Sequence, residues 1–152
     1  MACMDADELL QRYAKGERDF SHANLVGANL VEVNLSGIDL SRANLSEANL
    51  TETNLSGANL KKANLRKVNL SQANLSNADL SESNLIEANL IEANLDSANL
   101  NEANLTAANL GFSNLHKADL SMANMCHAFL SGADLKNANL DYTVLHGAVM
   151  PD

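Results

Sequence analysis

The sequence has no tryptophan, and aromatic residues make up only 3% of its 152 residues. A core anchored by large aromatic side chains is therefore excluded. No apolar run is long enough to cross a bilayer, and the acidic start of the chain lacks the apolar stretch of a secretory signal. We therefore expect a cytoplasmic protein that makes no contact with a membrane.

Positive charge is also scarce, since 10 Lys and Arg stand against 19 Asp and Glu, for a net charge of −9. This balance disfavours direct binding of nucleic acid and favours a basic partner. The only two cysteines, Cys3 and Cys126, stand far apart in the sequence. Such usage indicates free thiols in a reducing compartment rather than a disulfide.

What the sequence has instead is one five-residue unit that runs from residue 18 to residue 150 without insertion or deletion. Every residue in this range whose number is a multiple of five is apolar, and Leu holds 24 of these 27 central positions. The residue two before the central one is small or β-branched in 26 units, and Asn or Asp directly precedes it in 24. A chain this regular can bury a core only by stacking similar small layers.

A period of five fits neither a straight helix nor a straight strand. Leucines at this spacing would spiral around a helix and would alternate between the two faces of a strand. They gather on one side only if the chain bends every five residues. We call the two residues after each central one the first and second corner positions. Type II turns need a positive φ at the third residue, and glycines occupy the second corner position at Gly27, Gly37, Gly57, Gly132 and Gly147.

Segments such as 43–47 (Ala-Asn-Leu-Ser-Glu), 88–92 (Ala-Asn-Leu-Ile-Glu) and 133–137 (Ala-Asp-Leu-Lys-Asn) resemble the pentapeptide-repeat family. Segment 16–20 resembles the entry to the repeats in small cyanobacterial members. The resemblance implies an all-β fold, a right-handed quadrilateral β-helix with four units per coil and about seven coils. We expect the central leucines and alanines to point inward, and the outward asparagines to form ladders between coils.

Aspartate replaces asparagine in five units, and four of these replacements support a coil of four units. Asp19, Asp39, Asp79 and Asp119 differ in number by multiples of 20, so a four-sided coil places them on one face. Only Asp134 falls elsewhere.

Residues before the repeat have the pattern of a short helix. Asp5 is a suitable N-cap, with Glu8 three residues later as in a capping box, and Gly16 is placed to end the helix. Its apolar side would cover the first layer of the repeat and consists of Met4, Leu9, Leu10 and Tyr13. We predict three segments: a capping helix in 1–17, the β-helix in 18–150 and a tail in 151–152.

Outward residues that depart from the repeat are the candidates for a function. The charged candidates for a partner surface are Asp39, Asp79, Asp119, Glu82, Glu87, Glu92, Glu102, Lys61, Lys62, Arg66 and Lys67. The apolar candidates for a self-associating end, which would form a homodimer, are Phe112, Met122, Phe129, Tyr142, Val144 and Val149. A merely solvated surface explains the charged residues equally, and shielding of the last coil explains the apolar ones.

Groupings that could support catalysis are lacking. A coil of four units stacks Cys126 on His146, next to His127, but these are too few ligands for a metal site. We expect no enzyme activity, no cofactor and no metal. The sequence thus predicts a non-catalytic structural or interaction module that binds a protein partner. The resemblance also implies an alternative, a DNA mimic that binds DNA gyrase or another topoisomerase, although the basic residues Lys61, Lys62, Arg66 and Lys67 and the central leucines depart from those members.

Overall fold

The computed structural model describes residues 2–152. Helix α1 spans Ala6–Ala14, and the described chain after it forms one β-helix. Its sides pair through parallel bridges of one residue each, which join positions 20 apart from Asp19–Asp39 to Phe129–Val149. This spacing equals four units of the repeat, so the predicted four-sided coil is confirmed.

The four sides are numbered by their central residues. Side 1 contains Leu40, side 2 Leu45, side 3 Leu50 and side 4 Leu55, together with the residues 20 positions away from each. Corner 1 follows side 1, and corners 2 to 4 follow in the same way. The central residues from Phe20 to Leu130 are at most 2% exposed, and full burial of each leucine contributes about 1.5–3 kcal/mol.

The corners are turns of the predicted kind, but glycine does not set them. The central carbonyl accepts from the N–H three residues later, as in Ala43 N–H to Leu40 O at 3.0 Å. All 26 second-corner residues have a positive φ, and 21 of them are not glycine. As far as His127, each such N–H also bonds to the next coil, as in Glu47 N–H to Arg66 O at 3.0 Å. Stacking of the coils therefore imposes the left-handed conformation on ordinary residues.

The predicted asparagine ladders are wrong for most of the repeat. The Asn Oδ1 accepts instead from the backbone N–H two residues later, as in Ser46 N–H to Asn44 Oδ1 at 3.1 Å. No backbone bond uses this first-corner N–H in residues 2–152, so the side chain satisfies a donor that would otherwise be unpaired. Bonds between asparagines occur on side 4, from Asn94 to Asn74 at 3.4 Å and from Asn114 to Asn94 at 3.2 Å.

Helix α1 begins as predicted, with Asp5 Oδ1 accepting from Glu8 N–H at 2.8 Å. The second half of the capping box does not form, because the Glu8 carboxylate pairs with Arg12 at 3.3 Å, one helical turn away. Gly16 follows the helix with φ at 100°. Arg12 also donates to Glu17 at 2.7 Å, and this bond lowers the pKa of Glu17.

The helix packs on the first coil of the repeat. Leu9 is fully buried, and Met4, Leu10 and Tyr13 pack against the core. Tyr13 Oη donates to Ser36 O at 2.8 Å. The segment before the helix adds a pairing that the sequence pattern does not predict: Cys3 bridges to Asn24, which supplies a neighbour for side 2. Within residues 2–152, no helix is long and apolar enough to cross a membrane.

Candidate functional site

The basic residues predicted as part of a partner surface are exposed but already paired. Lys61 and Lys62 lie at corner 1 and contact Glu82, one coil further, at 3.5 and 3.2 Å. Arg66 and Lys67 lie at corner 2 and contact Glu87 in the same way, at 3.3 and 3.8 Å. The structure therefore brings the predicted basic and acidic groups together, and they compensate each other. The hydrogen bond from Lys62 lowers the pKa of Glu82.

The remaining predicted carboxylates form no ion pair within residues 2–152. Glu92 at corner 3 accepts from Gln72 Nε2 at 2.9 Å, and Glu102 is exposed at corner 1. The predicted aspartate row exists on side 1, because the bridges run in register along it and alternate Asp with Asn in the coils after Asp39. In each of Asp39, Asp79 and Asp119, Oδ1 accepts from the N–H of the serine two residues later.

The six predicted apolar residues are strongly exposed, from 44% for Val149 to 88% for Tyr142. They do not gather in one patch. Met122 and Tyr142 lie at corner 1, Val144 on side 2, and Phe129 and Val149 are bridged neighbours on side 3. Phe112 lies at corner 3. The set therefore extends over two neighbouring sides and the outer corner of each.

An apolar groove at corner 3 was not predicted. It has a volume of about 280 Å³ and is lined by Ile91, Asn109, Gly111, Phe112, Phe129 and Ser131. Gly111 leaves an empty place where Ile91 has a side chain one coil earlier, and the two phenylalanines stand on either side. The sequence feature that could have indicated the groove is Gly111, the only glycine of the repeat outside the second corner position.

The histidines and cysteines make few contacts with one another. The His127 and His146 rings meet edge to face at 5.6 Å, and His116 Nδ1 lies 2.8 Å from Asp96 Oδ1 at corner 4. Cys3 and Cys126 are free thiols. Over residues 2–152, no three His, Cys, Asp or Glu side chains are grouped so that they could hold a metal ion.

The repeat matches a known sequence family and several solved structures. The profile of the pentapeptide repeats matches in 8 copies, over residues 19–57, 43–82, 73–111, 83–121 and 118–150. The chain is 31% identical to Rfr23, a pentapeptide repeat protein from the cyanobacterium Cyanothece 51142, over 93% of this chain and 96% of that one, with a TM-score of 0.51. No curated relative matches by sequence.

Two further solved structures are similar. HetL from the cyanobacterium Nostoc sp. strain PCC 7120, a pentapeptide repeat protein involved in heterocyst differentiation regulation, is 30% identical over 98% of both chains, with a TM-score of 0.28. QnrB1, a plasmid-mediated fluoroquinolone resistance protein, is 20% identical over 88% of this chain and 79% of that one, with a TM-score of 0.52, and shows likeness of fold alone. The chain belongs to the pentapeptide-repeat family, whose fold is a right-handed quadrilateral β-helix.

Proposed function

We propose that this chain is a non-catalytic rod that binds a protein partner at the places where its surface departs from the repeat. One observation carries the proposal: Phe112 is 69% exposed and Phe129 50% exposed, whereas the repeat motif itself is used up in the core and the turns. Exposed apolar side chains that are grouped around a groove are typical of interaction sites.

The shape of the rod favours binding over catalysis. Enzymes hold small substrates in concave sites of about 300–1,000 Å³ that surround most of the ligand. The groove at corner 3 is at the lower end of this range, at about 280 Å³, and its lining includes no His, Cys, Asp or Glu.

Finer features belong to the same proposal. With a separation of about 4.8 Å between coils, almost seven coils give a rod about 32 Å long. The free thiols of Cys3 and Cys126 support a reducing, cytoplasmic location.

The exposed apolar residues around Phe129 support a homodimer, which Phe129→Lys would weaken. Light scattering tests this directly, and a wild-type chain that stays monomeric at high micromolar concentration would rule the dimer out.

The DNA-mimic alternative rests on the aspartate row of side 1. Asp39, Asp79 and Asp119 share that side, but asparagines interrupt the row and each carboxylate is engaged in its own turn. Because these features have a structural explanation, we place the interaction rod first.

Site-specific photo-cross-linking in the cells that express this chain tests the main proposal. A photoreactive phenylalanine analogue replaces Phe112, and a matched control carries it at Asn77, a second-corner residue with nearly the same φ, 57° against 56°. We expect a saturable cross-linked protein at position 112 and none at position 77. Equal products at both positions, or none at either, would contradict the proposal.

A further inference from the structure

The groove at corner 3 is aligned with a column of acidic side chains. Second-corner residues 20 apart stack along the rod, so Phe112 follows Glu92, Gln72, Glu52 and Glu32 in one line. All three glutamates are exposed. Unlike Glu82 and Glu87, they form no ion pair with any residue in the described range 2–152.

We propose that the groove and this column together form a docking site for an extended basic peptide segment of a partner. One apolar side chain of the segment enters the groove between Phe112 and Phe129. Lys or Arg side chains on alternate residues that follow it lie over Glu92, Glu52 and Glu32. The inference rests on the proposed function as an interaction rod, and it names the surface and the chemistry of the partner.

The size of the groove suits one side chain. Its volume of about 280 Å³ is at the lower end of the sizes usual for small-molecule sites, about 300–1,000 Å³. The ring of Phe112 lies over Gly132, where a Cβ would stand 2.4 Å from Cδ1. A preformed apolar cleft of this kind accepts an anchor side chain at little cost in ordering.

The spacing of the column fits an extended chain. Coils lie about 4.8 Å apart, so Glu92, Glu52 and Glu32 lie about 5, 14 and 19 Å from the level of Phe112. In an extended peptide, side chains at positions i+2, i+4 and i+6 point the same way and lie about 7, 13 and 20 Å from position i. Each basic side chain is long enough to take up the small differences.

The two parts of the site have different roles. Exposed ion pairs add little affinity each and are screened by salt, so the glutamates chiefly attract the peptide and fix its direction and register. The anchor in the groove supplies most of the affinity, as buried apolar anchors do in other interfaces. Binding should therefore require the anchor and weaken with salt.

Fluorescence anisotropy with the full chain and labelled synthetic peptides tests the proposal. The probe has the sequence Phe-Thr-Lys-Thr-Lys-Thr-Lys. One control, Phe-Lys-Thr-Lys-Thr-Lys-Thr, has the same composition with the lysines moved to the other face. A second control replaces the first residue of the probe by alanine. We expect the probe to bind at least tenfold more tightly than either control.

Variants of the chain locate the site. Gly111→Ile fills the groove with the side chain that Ile91 carries at the same corner one coil earlier, and should weaken binding at least tenfold. Its control, Thr106→Ile, places the same side chain at the equivalent position of corner 2 and should have no effect. The pair Glu52→Gln with Glu92→Gln should weaken binding threefold to tenfold and reduce its salt dependence, whereas Glu47→Gln with Glu102→Gln, which removes as much charge elsewhere, should not.

The proposal is overturned by equal binding of the probe and the shifted peptide, by full binding by Gly111→Ile, or by no binding of the probe. If Gly111→Ile does not fold, judged by circular dichroism, Phe129→Asn restores the repeat residue and removes one wall of the groove. If light scattering shows a wild-type dimer that Gly111→Ile dissociates, the occupant is a second copy and the peptide assignment is wrong. If a partner cross-links at position 112 and Gly111→Ile does not reduce that cross-linking, the proposed peptide site is wrong, whereas the proposed function as an interaction rod is retained.

Discussion

The Phe112 ring lies over Gly132, one coil further along corner 3, so closely that a Cβ on Gly132 would stand 2.4 Å from Phe112 Cδ1. The glycine therefore serves two purposes, because it adopts a φ of 73° and leaves room for the ring that forms one wall of the groove. The exposed aromatic residue and the glycine beneath it act as a unit.

Gly132→Ala should destabilise the chain more than Gly57→Ala. Gly57 has a similar φ of 65° with nothing within 4 Å of its Cβ position, so that variant incurs only backbone strain, about 1 kcal/mol. Overpacking against Phe112 should add about 1–3 kcal/mol, and Phe112→Ala in the same chain should remove this excess. Urea unfolding compares these three variants with wild type. Equal losses in the two alanine variants would mean that the ring moves aside freely.

Asn44 should tolerate aspartate better than alanine. Its Oδ1 accepts from Ser46 N–H at 3.1 Å, and aspartate keeps this acceptor whereas alanine leaves the N–H unpaired. Asn44→Ala should cost about 1–3 kcal/mol, the cost of leaving a donor unsatisfied in a partly buried place, and Asn44→Asp clearly less. Urea midpoints of the two variants measure the difference. Equal destabilisation by both variants would indicate that Asn44 contributes through contacts between coils.

The ion pairs of Glu82 should make stability depend on acid pH. The hydrogen bond from Lys62 lowers the pKa of Glu82 in the folded state. Its contribution to stability is therefore full above the ordinary glutamate pKa and is lost as the pH falls through the lowered value. Between pH 6 and pH 3, wild type should lose more stability than Glu82→Gln.

Glu102→Gln is the control for this comparison, since Glu102 is exposed at the same corner without an ion pair within residues 2–152. Urea midpoints at each pH provide the measurement. Parallel curves for wild type and Glu82→Gln would show that the lysine contacts contribute nothing in solution.

The chain should not inhibit DNA gyrase. The aspartates of side 1 are separated by asparagines and engaged in turns, and lysines or arginines neutralise Glu82 at corner 1 and Glu87 at corner 2. A continuous anionic surface like that of DNA is therefore not formed. A supercoiling assay at tens of micromolar protein should show neither inhibition nor protection from a quinolone. Inhibition that Asp79→Asn weakens would instead favour the DNA-mimic alternative.

The fold could be predicted from the sequence because each layer repeats the same physical solution. Leu every five residues requires a bend at every unit, and Asp39, Asp79 and Asp119 indicated the length of the coil before the bridges confirmed it. The use of asparagine could not be predicted in the same way. An asparagine that forms a ladder between coils and one that accepts from the nearest free N–H would occupy the same position of the repeat. Only the hydrogen bonds of the structure distinguish the two uses.

The site was predicted less completely, because it depends on residues one coil apart. The sequence pattern makes Lys62 and Glu82 charged candidates without pairing them, although their separation by four units places them in contact once the coil length is known. The groove forms because Gly111 has no side chain, and a pattern of apolar residues does not indicate where a side chain is absent. Exposed residues such as Phe112 stand out because they break the repeat.

The central claim is that the repeat is scaffold and that its breaks at corner 3 and side 3 carry the function. Its most direct test is the capture of the partner cross-linked at position 112 by a chain that carries Phe112→Glu and Phe129→Asn. These changes restore residues that the repeat already uses at equivalent positions, Glu92 and Asn109, so thermal unfolding should be unchanged or shifted upward. We predict that the captured partner falls at least tenfold. Capture at the wild-type level by a folded variant would contradict the account.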